Sequence, residues 1–137
     1  MSQLFESATI GSMTLRNRFV RSATWEGMAT SDSAVTQRLL DTIEALSRGG
    51  VGLIISGHAF VSPEGQGGLG QIGIYKDEFV PGLSQMVKAA HDYGASIVLQ
   101  MAHAGYYAAH HLTGMPAVAV SDIGNMDGTP RRELSVP

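Results

Sequence analysis

Three short stretches carry side chains suited to holding a polar, planar ligand: Ser22-Ala-Thr-Trp25, Ser56-Gly-His58 and Gln100-Met-Ala-His103. Gln100 is the most informative, because it ends an apolar run and its amide offers both donors and acceptors, which matches the imide edge of a flavin or a pyrimidine. A structural glutamine that satisfies loop backbone is the competing reading. His58 and His103 can donate protons, bind phosphate or orient a neighbour, since imidazole titrates near neutral pH. Each can equally be solvated or structurally hydrogen-bonded. Trp25 offers a face for stacking, or simply packs. Tyr106-Tyr107 can line a substrate funnel or pack as an ordinary loop. His103 with His110-His111 stands at no recognisable ligand spacing, and no metal site is expected. Gly65-Gln-Gly-Gly-Leu-Gly70 is glycine-rich, but it joins no strand directly to a helix and lacks a Lys-Ser/Thr ending, so it reads as a flexible excursion rather than a phosphate loop.

These stretches need elements to position them. Thr9-Ile-Gly-Ser-Met-Thr-Leu15 alternates around Gly11 and predicts a small hairpin. Arg18-Phe-Val-Arg-Ser22 predicts a first strand. Val35, Leu39, Ile43 and Leu46 recur at helical spacing, with Asp32 or Ser33 able to cap the start and Gly49-Gly50 able to end it. Val51-Gly-Leu-Ile-Ile55 is a continuous apolar run of the kind found in strands covered on both faces. Asp77 and Glu78 open a second helix with Pro81 in its first turn. Phe79, Leu83, Met86, Val87 and Ala90 form its apolar side and Gly94 its end. Ala95-Ser-Ile-Val-Leu-Gln100 predicts a third strand. Alternation of strands and helices implies a parallel sheet, either open and doubly wound or a section of an eight-stranded barrel. In both, ligands gather at the carboxyl ends of the strands, where all three polar stretches fall.

Composition narrows the partners. Nine Lys plus Arg against twelve Asp plus Glu give a net charge of −3, so no broad positive field draws the chain to nucleic acid or anionic lipid. No cysteine occurs, which removes disulfides, thiolate metal sites and a cysteine nucleophile from these 137 residues. No apolar run approaches the roughly 18 residues of a membrane span, and Met1 to Glu6 lack the features of a secretory signal; a cytoplasmic protein is expected.

Several pieces occur together and in order: Leu4-Phe5, Ile10-Gly11, Met13-Thr-Leu15, Asn17-Arg18, Gly50-Val-Gly-Leu-Ile-Ile55, Gly73-Ile74, Asp77-Glu78 and Leu99-Gln-Met-Ala-His-Ala-Gly105. On these the chain resembles the N-terminal part of the NADH:flavin oxidoreductase, or Old Yellow Enzyme, family. The resemblance implies an α/β fold, the N-terminal portion of a (β/α)8 TIM barrel. About three strand–helix units follow the hairpin, so residues 1–137 are one piece of a single FMN-binding domain. It implies FMN at the carboxyl mouth, NADH or NADPH as hydride donor, and an activated alkene as acceptor, with dienoyl thioesters a further possibility. By position, Ser22, Ala23, Thr24 and Trp25 would run along the flavin, His58 would stand beside it, and Gln100 would hydrogen-bond its pyrimidine portion. The family's catalytic set falls elsewhere, so no catalytic residue is assigned. Ala23 replaces a common proline, Trp25 a cysteine or threonine, and Tyr106 an arginine. The partners expected are a small-molecule substrate and the remainder of the barrel or another chain, in a homo-oligomer. A noncatalytic assembly module that buries its sheet edge by self-association is the alternative.

Overall fold

A computed structural model describes residues 3–121, 128 and 131–135. The predicted hairpin is present, as β1 (Ala8–Ile10) and β2 (Met13–Leu15), antiparallel about Gly11. Then β3 (Val20–Arg21), β4 (Leu53–Ile55) and β6 (Ser96–Val98) form a parallel sheet in the order β3-β4-β6, with α1 (Gln37–Arg48) and α2 (Val80–His91) as the connecting helices. Strand β5 (Ala59–Phe60) prolongs β4, and β7 (Met101–Ala102) prolongs β6; these two also pair in parallel. Beyond β7 come a one-turn helix α3 (His110–Thr113) and a parallel pair, β8 (Ala117–Ala119) with β9 (Arg131–Glu133), which the sequence pattern does not announce.

Apolar periodicity explains both helices. Leu39 and Ile43 on α1 and Met86 and Ala90 on α2 are buried against Ile54 and Ala95 in one core. Leu39, Ile43, Ile54 and Met86 each contribute about 1.5–3 kcal/mol through burial. The start of α1 differs from expectation. Thr36 is its N-cap, its hydroxyl accepting from Leu39 N at 3.3 Å, whereas Asp32 instead accepts from the Thr30 hydroxyl. That hydrogen bond, the largest cause, holds the Asp32 carboxyl below its ordinary pKa. Ser33 takes a positive φ of 71° in the same turn and its carbonyl accepts from Gly73 N, so the Thr30–Ala34 turn docks on the body instead of starting a helix. A 3-10 turn at Asp77–Phe79 leads into α2, and Pro81 sits where the missing N–H has no helical partner to lose. Val87, assigned to the apolar side, is exposed.

The two ends of the sheet are built differently. At the amino end Arg16 reaches the carbonyls of Ser47 (2.6 Å), Val51 (2.8 Å) and Tyr93, tying the ends of α1 and α2 to the start of β4. Asn17 donates to Gly50 O at 2.7 Å and accepts from Phe19 N at 3.0 Å. Carbonyls at and just beyond the helix ends are thus held by side chains distant in sequence.

Candidate functional site

At the carboxyl end the strands stop at polar residues. Register places Arg21 opposite Ile54 and Ile55 opposite Val98, so the segments after β3, β4 and β6 emerge side by side. Ser22, Thr24, Trp25 and Gln100 are exposed there, and Ala23 and His58 are half-buried.

Between β4 and β5 the pairing slips by one residue. Ser56, Gly57 and His58 lie opposite only Leu99 and Gln100, since Ile55 pairs with Val98 and Ala59 with Met101. This is a bulge, a feature that redirects side chains at strand ends. It is held by Ser56, which is buried. The Ser56 hydroxyl accepts from Gln100 N at 3.1 Å, standing in for a ladder carbonyl, and donates to Gly57 O at 2.8 Å. With Ala59 N donating to Gln100 O at 2.8 Å, both main-chain groups of Gln100 are satisfied while its residue remains exposed. The structural role open to Gln100 is thus carried by its backbone, which leaves the amide at the open strand end.

The bulge brings His58 under Trp25, with ring centroids 6.2 Å apart and planes inclined by 24°. His58 Nδ1 is buried and has no hydrogen-bond partner among the described residues, an orphan of the kind that a bound ligand or water satisfies. The His58 carbonyl accepts from Gln71 Nε2 at 3.2 Å, and Gln71 Oε1 accepts from Gly67 N at 2.8 Å. Gln71 is buried, so this amide links strand end to loop from inside.

The glycine-rich segment is therefore not the loose excursion that its composition predicts. Its backbone is tied by Ala29 N to Gly70 O, Ala104 N to Gly65 O and Ala109 N to Gln66 O. Gly70 has φ +73°, and a Cβ on it would stand 2.6 Å from Gly27 O, so only glycine fits. A Cβ on Gly68 would come within 3.1 Å of the Trp25 ring. The loop forms a floor beneath the indole.

Other candidates separate from this group. His103 packs on Gly65, and its Nδ1 accepts from Gly105 N at 2.9 Å, a local structural role. Tyr106 lies under the Arg131 guanidinium, 4.2 Å from ring centroid to Cζ, and Tyr107 points outward at 83% exposure. His110 Nδ1 is 2.8 Å from Met115 O. Among the described residues no cluster of His, Asp and Glu could hold a metal ion, and no helix is long and apolar enough to cross a membrane. A hollow of about 560 Å³ lies away from the strand ends, along Arg38, Thr42, Ala45 and Leu46 of α1.

Sequence reasoning missed Gln71, the hydroxyl of Ser56 as a bulge clamp, and an ion pair between Arg21 and Glu26 at 2.9 Å beside the Ser22–Trp25 turn. The opposite charges five residues apart, flanking a polar stretch, were the available signal for the last.

Comparison with known proteins agrees with the geometry. The chain is similar to the "NADH oxidase" of Thermoanaerobacter brockii, 37% identical over 136 residues, which are 97% of this chain and 21% of that protein. It is similar to the "metal reductase" of Desulforamulus reducens, 40% identical over 123 residues, 90% of this chain and 18% of that one. The chain thus spans about a fifth of the length of these relatives. Among solved structures, an Old Yellow Enzyme homologue from Zymomonas mobilis superposes with a TM-score of 0.86 at 29% identity, over 98% of this chain and 40% of that one. The architecture is accordingly part of a TIM barrel. With the sequence profile of the NADH:flavin oxidoreductase / NADH oxidase family matching residues 3–134, the chain belongs to that family.

Proposed function

We propose that residues 1–137 build the first portion of an FMN-holding barrel mouth in an NAD(P)H-dependent oxidoreductase whose acceptor is an activated alkene. The observation that carries this reading is the side-by-side emergence of three polar strand ends, with the Gln100 amide left over after its backbone is satisfied. The residues fit the cofactor: Ser22, Ala23, Thr24 and Trp25 offer main chain and an indole, the orphaned His58 Nδ1 offers a polar atom, and Gln100 offers paired donor and acceptor to an imide edge. When bound, FMN would accept hydride from reduced nicotinamide and deliver it to the acceptor. Gln100 would orient the ring system, Trp25 would keep water from the His58 face, and the Gln71 bridge would hold the loop beneath.

The chain would work with the remainder of a barrel, which supplies the catalytic groups and covers the open flank of α1 and the edges of β3 and β6. The cytoplasm, where reduced nicotinamide is abundant, is the setting we assign. Exposed Val20, Val98 and Met101 favour one competing reading, a noncatalytic module that covers the same edges with a second copy.

Purification at native length, followed by visible absorption and native mass, tests the proposal. A yellow protein that releases FMN and oxidises NADH or NADPH supports it, and Gln100→Ala should then weaken FMN about 3- to 10-fold, the loss of roughly one hydrogen bond. A colourless oligomer of 137-residue chains that leaves reduced nicotinamide untouched would establish the module instead.

A further inference from the structure

We infer that Arg21 and Glu26 are positioning residues, a single ion pair that closes the Ser22–Trp25 turn and fixes where Trp25 lies on His58. The inference rests on the proposed function for its ligand, but its geometry stands apart from it. Arg21 is the last residue of β3, and its Nη2 lies 2.9 Å from Glu26 Oε1, with the two side chains only 17% and 10% exposed. Arg21 Nη1 also donates to Ser22 O at 3.3 Å and to Ile55 O at 3.4 Å, so the same guanidinium ties the end of β3 to the end of β4. The turn is thus pinned at both ends by one contact.

The carboxylate sits in space that the neighbouring strand keeps open for it. A Cβ on Gly57 would stand 2.3 Å from Glu26 Oε2 and 2.8 Å from Thr24 O. Any side chain at Gly57 therefore displaces both the carboxylate and the turn above it. Exposed ion pairs add little, but removing one member of a mostly buried pair leaves a desolvated charge without a partner, and the chain must rearrange to hydrate it. Here the segment that can rearrange is the one carrying Ser22, Ala23, Thr24 and Trp25. The expected consequence is a displaced ligand wall rather than an unfolded protein, because neither Arg21 nor Glu26 belongs to the buried core of Leu39, Ile43, Ile54 and Met86.

Trp25 is the single tryptophan of these 137 residues and reports its own position. The experiment compares Glu26→Gln, which removes charge at constant size, with Gly57→Ala, which expels the carboxylate without altering either charged residue. Both are made in the native-length protein, and each is paired with a matching Trp25→Phe version so that the Trp25 emission is obtained by difference. Free FMN is then titrated by flavin fluorescence, and thermal melts are recorded. The expected result is a red-shifted Trp25 emission in both variants, FMN affinity lowered tenfold or more, and melts within a few degrees of wild type. Wild-type emission and FMN affinity in both variants would overturn the inference, as would a drop in melting temperature that accounts for the whole loss. If the wild-type protein binds no FMN, the proposed function fails, while the emission of the ligand-free variants still decides whether the pair positions Trp25.

Discussion

The two ends of this parallel sheet spend their polar side chains in opposite ways. At the amino end, Arg16 and Asn17 bind carbonyls at and just beyond the end of α1, and Tyr93 donates to Glu44 between the two helices. At the carboxyl end the buried Ser56 and Gln71 hold the neighbouring backbone, while Trp25 and Gln100 remain exposed. Barrels divide stability and function between their ends in this sense. The lesson is that side-chain satisfaction, rather than residue type, marks which end can bind. A polar residue whose donors and acceptors are consumed by backbone is a fastener, and one left with an unmet group is a candidate contact.

The sharpest test of that division is Arg16→Met. Three hydrogen bonds from one cation are lost, nominally about 1.5–3 kcal/mol each, but the side chain is exposed and the carbonyls regain water, so roughly 2–3 kcal/mol of stability is expected to disappear. Urea unfolding reads the loss. FMN affinity of the folded fraction should stay within about twofold, and a larger change would break the separation between the ends.

Gly70→Ala sets the reverse test at the carboxyl end. An alanine there must adopt φ +73° and meet Gly27 O at 2.6 Å, which costs about 1–3 kcal/mol if the loop stays in place. Because the Gly65–Gly70 loop is joined to the body by a few backbone bonds, it can shift locally and shed most of that strain. We expect global stability to fall by about 1 kcal/mol, with hydrogen exchange accelerated at Gly67 and Ala29 and FMN affinity reduced more than stability. Unchanged exchange at those amides together with a full global loss would place the loop in the stability half of the molecule.

What could be read from the sequence follows the same division. Elements governed by local pattern were legible: the hairpin about Gly11, the apolar stripes Leu39–Ile43 and Met86–Ala90, and the alternation of strands and helices. The polar strand ends were legible as places, since alternation of strands and helices dictates where ligands gather. Features set by distant neighbours were not legible. The bulge at Ser56–His58 depends on a register slip against Leu99 and Gln100, more than forty positions away. Arg16 gave no sign that its partners are the carbonyls of Ser47, Val51 and Tyr93. The glycine run misled because a close approach to Trp25, His103 and Gly27 has the same composition as a flexible linker. The helix cap failed for a related reason: Asp32 and Thr36 are both good capping residues, and the docking of the Thr30–Ala34 turn on Gly73 decides between them.

The smallest effect expected concerns pH at the amino end. The Tyr93 hydroxyl donates to Glu44 Oε1 at 3.0 Å, and ionisation would both break that bond and set a phenolate against a carboxylate. The pKa of Tyr93 is accordingly raised, first by the hydrogen bond to Glu44 and then by its charge, with Arg48 opposing. A folded pKa above the unfolded one favours the folded state while the phenol is protonated. The contribution is complete below the unfolded value, near pH 10, and is lost as pH rises through the higher folded value. Tyr93→Phe should therefore be slightly less stable than wild type by a constant margin from neutral pH to about pH 10, and the margin should narrow above it. Paired melts across that range read the difference, which solvent screening keeps small at an exposed site. A margin that widened with alkalinity would contradict the Glu44 contact. A change in Trp25 emission on Tyr93→Phe would show that the two ends communicate, and that the fasteners at one end help to set the contacts at the other.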